Sequence, residues 1–298
     1  MTRYSVNIVT SDALATARCV IASLVPVVFL CVLFLSLSAR SGEVGSSSNF
    51  WPNRAEGAVS LTFDDGMPSQ LDRALPVLDR LGMKATFYVN PNYSVDWDKN
   101  AERWRRVAAE GHELGNHTDT HPCSCQSDFR HGGDYCLEKL DIKEVDRAID
   151  DAEHSLQALT SQPASTRSFA YPCYKTDVGA GVSRRSYVPE VARRYPAARV
   201  GFDEDNDPAT VDLSYVFAFA AEGQSAEQVI AYIEGALRRG RWAVIVFHGI
   251  GAEWNAMDAT EFDRLMVYLA NNRNRIWVAP FVEIAGYVRS HRAPIYAK

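Results

Sequence analysis

Beyond residue 54 the chain alternates short apolar runs with amphipathic helical stripes, and this alternation confines it to a parallel α/β architecture. Strand-like runs fall at Ala58–Phe63, Ala85–Val89, Glu113–Leu114, Ser168–Tyr171, Arg199–Phe202, Tyr215–Ala220, Ala243–Phe247 and Ile276–Phe281. Between them Leu71, Leu75, Leu78 and Leu81 recur at helical spacing, as do Val145, Ile149, Ala152, Leu156 and Leu159. Val229, Ile230, Ile233 and Leu237 follow the capping-box pair Ser225 and Gln228. Phe262, Leu265, Met266 and Leu269 follow a similar start signal at Thr260 and Asp263. These stripes are core positions and carry no chemistry. Repeated βα units build a parallel sheet that closes into a barrel, whose active site lies at the C-terminal ends of its strands. Asp64, Asp65, Asn90, His117, Tyr171 and His248 all stand at or just after such ends.

The first strand runs directly into Asp64-Asp65-Gly66. An unpaired charge buried at a strand end costs several kcal/mol, so two adjacent carboxylates need a partner such as a metal or a base. Successive strand residues point to opposite faces, which lets the two aspartates take different jobs at one site. The alternative is an Asp-Asp-Gly surface turn. His117-Thr118-Asp119-Thr120-His121 places two histidines at i and i+4, where one face of a helical turn brings both onto one metal ion. Solvated or capping histidines are the other reading of that spacing. The apolar run Trp242 to Phe247 ends in His248-Gly249, and a lone histidine there is either structural or catalytic.

A hydrophobic content of 47% with 23% charged residues describes a folded protein. The net charge of −6 and the lack of a nucleic-acid-binding motif exclude a general binder of phosphate backbones. The N-terminus is a separate unit. No charge occurs between Arg18 and Arg40, and the apolar heart Val25 to Leu35 is followed by the small residues Ser36, Ser38 and Ala39. That pattern fits a cleaved signal peptide, and residues 19–39 are also long enough for a membrane anchor. Residues 1–40 are thus expected to be an export segment, 41–54 a linker rich in Gly and Ser, and 55–298 a single domain placed outside the cytoplasm, secreted or membrane-anchored.

Thr62-Phe63-Asp64-Asp65-Gly66, His117-x-x-x-His121, Phe169-Ala170-Tyr171-Pro172 and Val246-Phe247-His248 come in the order of the motifs of the polysaccharide deacetylases. The chain resembles these NodB-homology, or carbohydrate esterase family 4, enzymes from about Ala55 to Val288. The resemblance implies a distorted (β/α) barrel of seven or eight parallel strands. It implies one divalent metal ion, zinc by preference, on Asp65, His117 and His121, with open positions for water and substrate. Carried over to matching positions, Asp64 is the general base and His248 the general acid. A backbone N–H near Pro172-Cys173 helps to hold the oxyanion. Tyr171, Cys173, Tyr174 and Trp254 are expected to meet the acetylated carbohydrate. Tyr93 and Trp97 also follow strand ends, and the alternative for these aromatics is that they cap the barrel.

The chain departs from the family pattern in two places. The third motif lacks the arginine that orients the base, with Ala170 standing just before Tyr171-Pro172. Arg167 is on the opposite strand face and reads as a solvated charge. The fourth motif, an aspartate expected to support His248, is represented only by Asp203, Asp205 and Asp207. Cys123, Cys125, Cys136 and Cys173 allow two disulfides in three pairings, and a Cys123–Cys173 bridge pins two loops of the site together. Three functions fit: an N-deacetylase on an amino-sugar polymer, an O-acetyl esterase or other amide hydrolase with the same site, and an inactive carbohydrate-binding protein. The presence of Asp64, Asp65, His117, His121 and His248 speaks against the third, and the missing arginine keeps it open.

Overall fold

The computed structural model describes residues 50–293 except 95 and 128–134. The uncharged stretch 19–39 and the Gly/Ser-rich run up to residue 49 lie outside the described residues. In chain order the strands are β1 (Gly57–Asp64), β2 (Thr86–Val89), β3 (Glu113–Asn116), β4 (Phe169–Ala170), β5 (Asp177–Val178), β6 (Arg185–Ser186), β7 (Ala198–Phe202), β8 (Val216–Ala220), β9 (Trp242–Phe247) and β10 (Ile276–Val278). The helices are α1 (Leu75–Arg80), α2 (Trp97–Ala109), α3 (Ile142–Thr160), α4 (Val188–Arg194), α5 (Ala226–Arg238), α6 (Ala259–Asn271) and α7 (Phe281–His291).

Seven parallel strands close on themselves in the order β1-β2-β3-β4-β7-β8-β9, with β9 returning to β1 over Ala58–Phe63 against Trp242–Phe247. β10 lies beside the first half of β1, pairing Gly57–Val59 with Ile276–Val278. β5 and β6 form a separate antiparallel pair. β1 and β9 are buried at every position; β9 reads as an unbroken apolar run, and the polar Ser60 and Thr62 of β1 are accommodated by donating to Ala279 O and Ile245 O. Outward residues of adjacent strands stack as a row, Phe87 on Phe63 and Phe63 on Phe247, with ring centroids 4.9 Å apart in each case. The helical stripes of α1, α5 and α6 cover this row.

The N-terminal mouth of the barrel is filled from α7. Phe281 packs on Trp242 at 4.8 Å and on Tyr88 at 6.3 Å. Beside it the buried Glu113 accepts from Ser168 N and Oγ, both 2.6 Å, from Thr86 Oγ1 at 2.7 Å and from Val282 N at 3.0 Å. A buried carboxylate is tolerable here because four donors surround it, one at the start of a helix. The expected last strand, Ile276–Phe281, is shorter than read. Pro280 ends it and caps α7, which begins at Phe281. The capping box of α5 forms as expected, Ser225 accepting from Gln228 N. α6 instead starts from Asp258, whose carboxylate accepts from Thr260 N and Glu261 N. Phe50 and Trp51 pack on Tyr287 of α7.

Candidate active site

The site assembles at the C-terminal mouth. β1 ends at Asp64, and Asp65 and Gly66 turn the chain away with φ of 73° and 57°. A Cβ on Gly66 would meet Ser94 Oγ at 2.6 Å, so the turn needs glycine for space and for backbone. Asp65 and Asp64 therefore separate because the strand stops between them, and strand pleating has no part in it. From the end of β2, Asn90 Nδ2 donates to Asp65 Oδ1 at 3.1 Å, and Ser94 Oγ donates to Asn90 Oδ1 at 2.6 Å.

His117 directly follows β3 and His121 follows it after one turn. That turn is not helical, contrary to the reading of the i, i+4 spacing. Thr118 and His121 have φ of 60° and 50°. Side chains hold the loop instead: Asn116 Oδ1 accepts from Thr118 N at 2.8 Å, and Thr118 Oγ1 accepts from His121 N at 3.0 Å. The rings still meet, with centroids 4.8 Å apart, and Tyr93 stacks on His121 at 4.5 Å. His117 Nδ1 donates to Ala170 O at 2.8 Å, which fixes the tautomer and leaves Nε2 facing the aspartates. His117 Nε2 lies 3.7 Å and His121 Nε2 3.4 Å from Asp65 Oδ1.

These three ligand atoms lie within 4.8 Å of one another. Burial drives His117 below its ordinary pKa and His121 down to about 4. Burial opposes ionisation of Asp65, but His121, His117, His248 and Asn90 outweigh it and hold its pKa at about 2. Two neutral imidazoles and one carboxylate are the protonation states that a divalent cation requires of its ligands, so this donor set fits such an ion.

Asp64 is only 2% exposed, and the group that compensates its charge is Arg199 on β7. Arg199 Nη2 reaches Asp64 Oδ1 at 2.6 Å and Oδ2 at 2.5 Å. The guanidinium is fully buried, 5.2 Å from the Tyr88 ring centroid and 5.7 Å from that of Tyr174. Arg199 is the register partner of Ala170 on the neighbouring strand. The arginine missing beside Tyr171-Pro172 is therefore supplied one strand further round the barrel. Its sequence signal was a charge inside the apolar run Ala198 to Phe202, because a buried charge in a strand demands a partner.

Several expectations are corrected. Arg167 is buried, and it pairs with Glu153 at 3.4 Å and donates to Gln162 O at 2.6 Å. None of the three loop aspartates supports His248. Asp203 Oδ1 accepts from Ala220 N at 3.1 Å, Asp205 pairs with Arg239 and Arg241, and Asp207 Oδ1 accepts from Ala209 N at 2.9 Å. The carboxylate nearest His248 belongs to Glu222, after β8, with Oε2 3.9 Å from Nδ1. Gln70 ties this side to β1, donating to Asp64 O at 2.5 Å and His248 O at 3.2 Å. Tyr171 does not present its side chain to a substrate, since it is buried against Phe169 and Tyr187 with its hydroxyl donating to Ser214 O at 3.0 Å. Cys173 is bridged to Cys123, and Cys125 to Cys136, so all four cysteines are in disulfides and none serves a second metal site. Tyr174 lies over Arg199, and Trp254, 36% exposed, stands in the loop after β9.

The family model for polysaccharide deacetylase matches residues 52–184. A chitooligosaccharide deacetylase of Rhizobium leguminosarum bv. trifolii is 39% identical over 94 residues, covering 30% of this chain and 39% of that protein. A gellan lyase of a Bacillus species is 23% identical over 260 residues, 80% of this chain and 10% of that protein. The chain thus spans well under two thirds of these curated relatives. In structure it superposes on a Mycobacterium smegmatis protein described as a polysaccharide deacetylase with a TM-score of 0.58 and 16% identity, covering 83% of this chain and 96% of that one, which shows the shared fold.

Proposed function

The chain belongs to the polysaccharide deacetylase family through residues 52–184, and we propose that it is a metal-dependent hydrolase removing N-acetyl groups from an amino-sugar polysaccharide or oligosaccharide. The observation that carries this reading is the pairing of Asp64 with Arg199 beside the Asp65, His117 and His121 set. It supplies the base-orienting arginine whose absence kept an inactive protein open. Asp65, His117 and His121 would hold the cation, zinc by preference. When bound, such an ion polarises the acetyl carbonyl and acidifies water.

The chain's own residues supply the proton transfers. Asp64, held by Arg199, takes a proton from the attacking water as its oxygen bonds to the carbonyl carbon. His248 gives a proton to the sugar nitrogen as the C–N bond breaks, releasing acetate and the free amine. Glu222 Oε2, 3.9 Å from His248 Nδ1, is the carboxylate that would orient this ring. The backbone N–H of Cys173, on a loop pinned by the bridge to Cys123, would share the oxyanion charge. Two disulfides fit an oxidising compartment and hence export by residues 1–40, as a cleaved signal or an anchor through 19–39. Among the described residues no helix is long and apolar enough to cross a membrane.

The test is acetate release from N-acetylglucosamine oligomers and from acetylated xylan with zinc added. Release from the amino-sugar oligomer, lost in His117→Ala, is expected. Release only from xylan would replace the amide reading by an ester one, and release from neither would end both.

A further inference from the structure

We propose that a cleft of about 480 Å³ walled by Tyr174, Phe202 and Tyr215 is a subsite for the uncharged sugar units that flank the reacting one. The inference rests on the glycan-hydrolase reading above and adds where the chain of sugars lies.

The starting observation is Phe202, the last residue of β7, which is 60% exposed and has φ of +88°. A bulky side chain in that backbone region costs on the order of 1–3 kcal/mol, and an exposed ring recovers little of it by burial. The register of β7 against β8 shifts between Arg199 and Phe202. Such irregularities re-aim side chains near active sites. Arg199 before the shift faces Asp64, and Phe202 after it faces the cleft. Behind Phe202 the ring of Tyr215 is near-parallel at 26° with centroids 6.0 Å apart, and Phe217 meets it edge-on at 5.7 Å, so the exposed ring is supported.

Tyr174 joins the cleft to the catalytic residues. One side of its ring faces the Arg199 guanidinium that holds Asp64. Its ring also lies on Gly201, where a Cβ would come within 2.9 Å, so glycine before Phe202 is what lets the two aromatic rings share one wall. Tyr174 thus lines the cleft and touches the arginine that holds Asp64, which puts the cleft beside the catalytic residues.

The charges on the opposite wall are balanced. Asp177 pairs with Arg184 at 2.9 Å, and Glu138, which accepts from Ser124 Oγ at 2.5 Å and Cys125 N at 2.7 Å, is offset by Lys175 on the same lining. Aromatic faces on one side and hydrogen-bonding groups of balanced sign on the other suit a neutral pyranose, which has an apolar face and a rim of hydroxyls. An anionic or cationic polymer would find no net opposite charge.

The experiment compares wild type and Phe202→Ala, with Phe202→Tyr as the variant that keeps the ring. With zinc bound, Phe202→Ala is expected to raise KM for an N-acetylglucosamine tetramer roughly three- to tenfold at unchanged kcat. Turnover of the single sugar should be unaffected, and Phe202→Tyr should behave as wild type. Calorimetric titration of the tetramer into protein held metal-free with chelator gives a second reading without turnover, with the same loss expected. Equal tetramer affinity in wild type and Phe202→Ala overturns the subsite, as does a wild type that binds no tetramer. Tetramer binding that depends on Phe202 in a protein releasing no acetate would leave the subsite standing and sink the hydrolase reading. Tighter binding of a uronic-acid tetramer than of the neutral one would overturn the assignment of an uncharged occupant.

Discussion

Asp64 and Arg199 are both withdrawn from water, so neither charge is tolerable without the other. Arg199→Met leaves an uncompensated buried carboxylate and is expected to lower stability by roughly 3–5 kcal/mol in urea titration. The double variant Arg199→Met with Asp64→Asn removes both charges and should recover most of that loss; a single variant as stable as wild type would show that the pair is not charge-compensated. Asp64 and Asp65 are expected to fail differently. Asp64→Asn should lower turnover by on the order of 10²–10⁴ with metal retained. Asp65→Asn should lose the metal, as read by elemental analysis of the purified protein. Near-wild-type turnover in Asp64→Asn would put the base elsewhere. The aspartate pair and the histidine pair were legible because each lies within five consecutive residues. Arg199, Glu222 and Ser94 were not, since their relation to the site exists only once separate strands are in register. The loop aspartates near 205 misled because acidity is visible in sequence and the arginines that neutralise it, at 239 and 241, are distant along the chain.

Strands and helices were legible in proportion to how completely they are buried. β2, β4, β8 and β9 fall on apolar runs because both their faces are covered, whereas β3, Glu-Leu-Gly-Asn, is as buried but half polar and left only a short signal. α2 was not legible: only Trp104 and Val107 are fully buried among its thirteen residues, too few to mark a stripe. α4 is a seven-residue helix with one buried residue, Val191. The turns between elements carry a pH dependence of their own. His112, between α2 and β3, accepts from Ala85 N with Nδ1 at 3.2 Å, while Nε2 lies 3.3 Å from Asp79 Oδ1. Burial, with Lys84 beside it, lowers its pKa from 6.5 to about 4. The unfolded chain therefore binds a proton here before the folded one does as pH falls. The stabilisation from the neutral ring is complete above pH 6.5 and drains away towards pH 4, amounting to roughly 3 kcal/mol. Urea midpoints at pH 7.5 and 4.5 should differ less in His112→Asn than in wild type. Equal differences would mean that His112 does not carry this dependence.

At the scale of the whole molecule, six of the seven barrel strands deliver a residue to the mouth or its immediate support, and β4 delivers the Ala170 carbonyl that orients His117. The site is thus only as ordered as the ring is closed. The thinnest seam lies between β3 and β4, which share the single register pair Asn116 and Phe169. The Cys123–Cys173 bridge crosses that seam on the mouth side, linking positions 50 residues apart and anchoring the loop that carries His121 two residues upstream. Cys125–Cys136 closes only an 11-residue separation. Replacing Cys123 and Cys173 by serine should lower stability by about 2–4 kcal/mol. It should also diminish the increment that metal adds, because His121 is then no longer fixed before binding and ordering it opposes association. In wild type, zinc at a hundredfold excess over its dissociation constant is expected to add about 2.7 kcal/mol over chelated protein. Urea titrations with zinc and with chelator measure both terms in one protein, and the Cys125 and Cys136 double serine variant is the control. The increment should shrink in the first variant and persist in the second. Full retention in both would detach the bridge from the metal site, and no increment in wild type would remove Asp65, His117 and His121 as a metal centre.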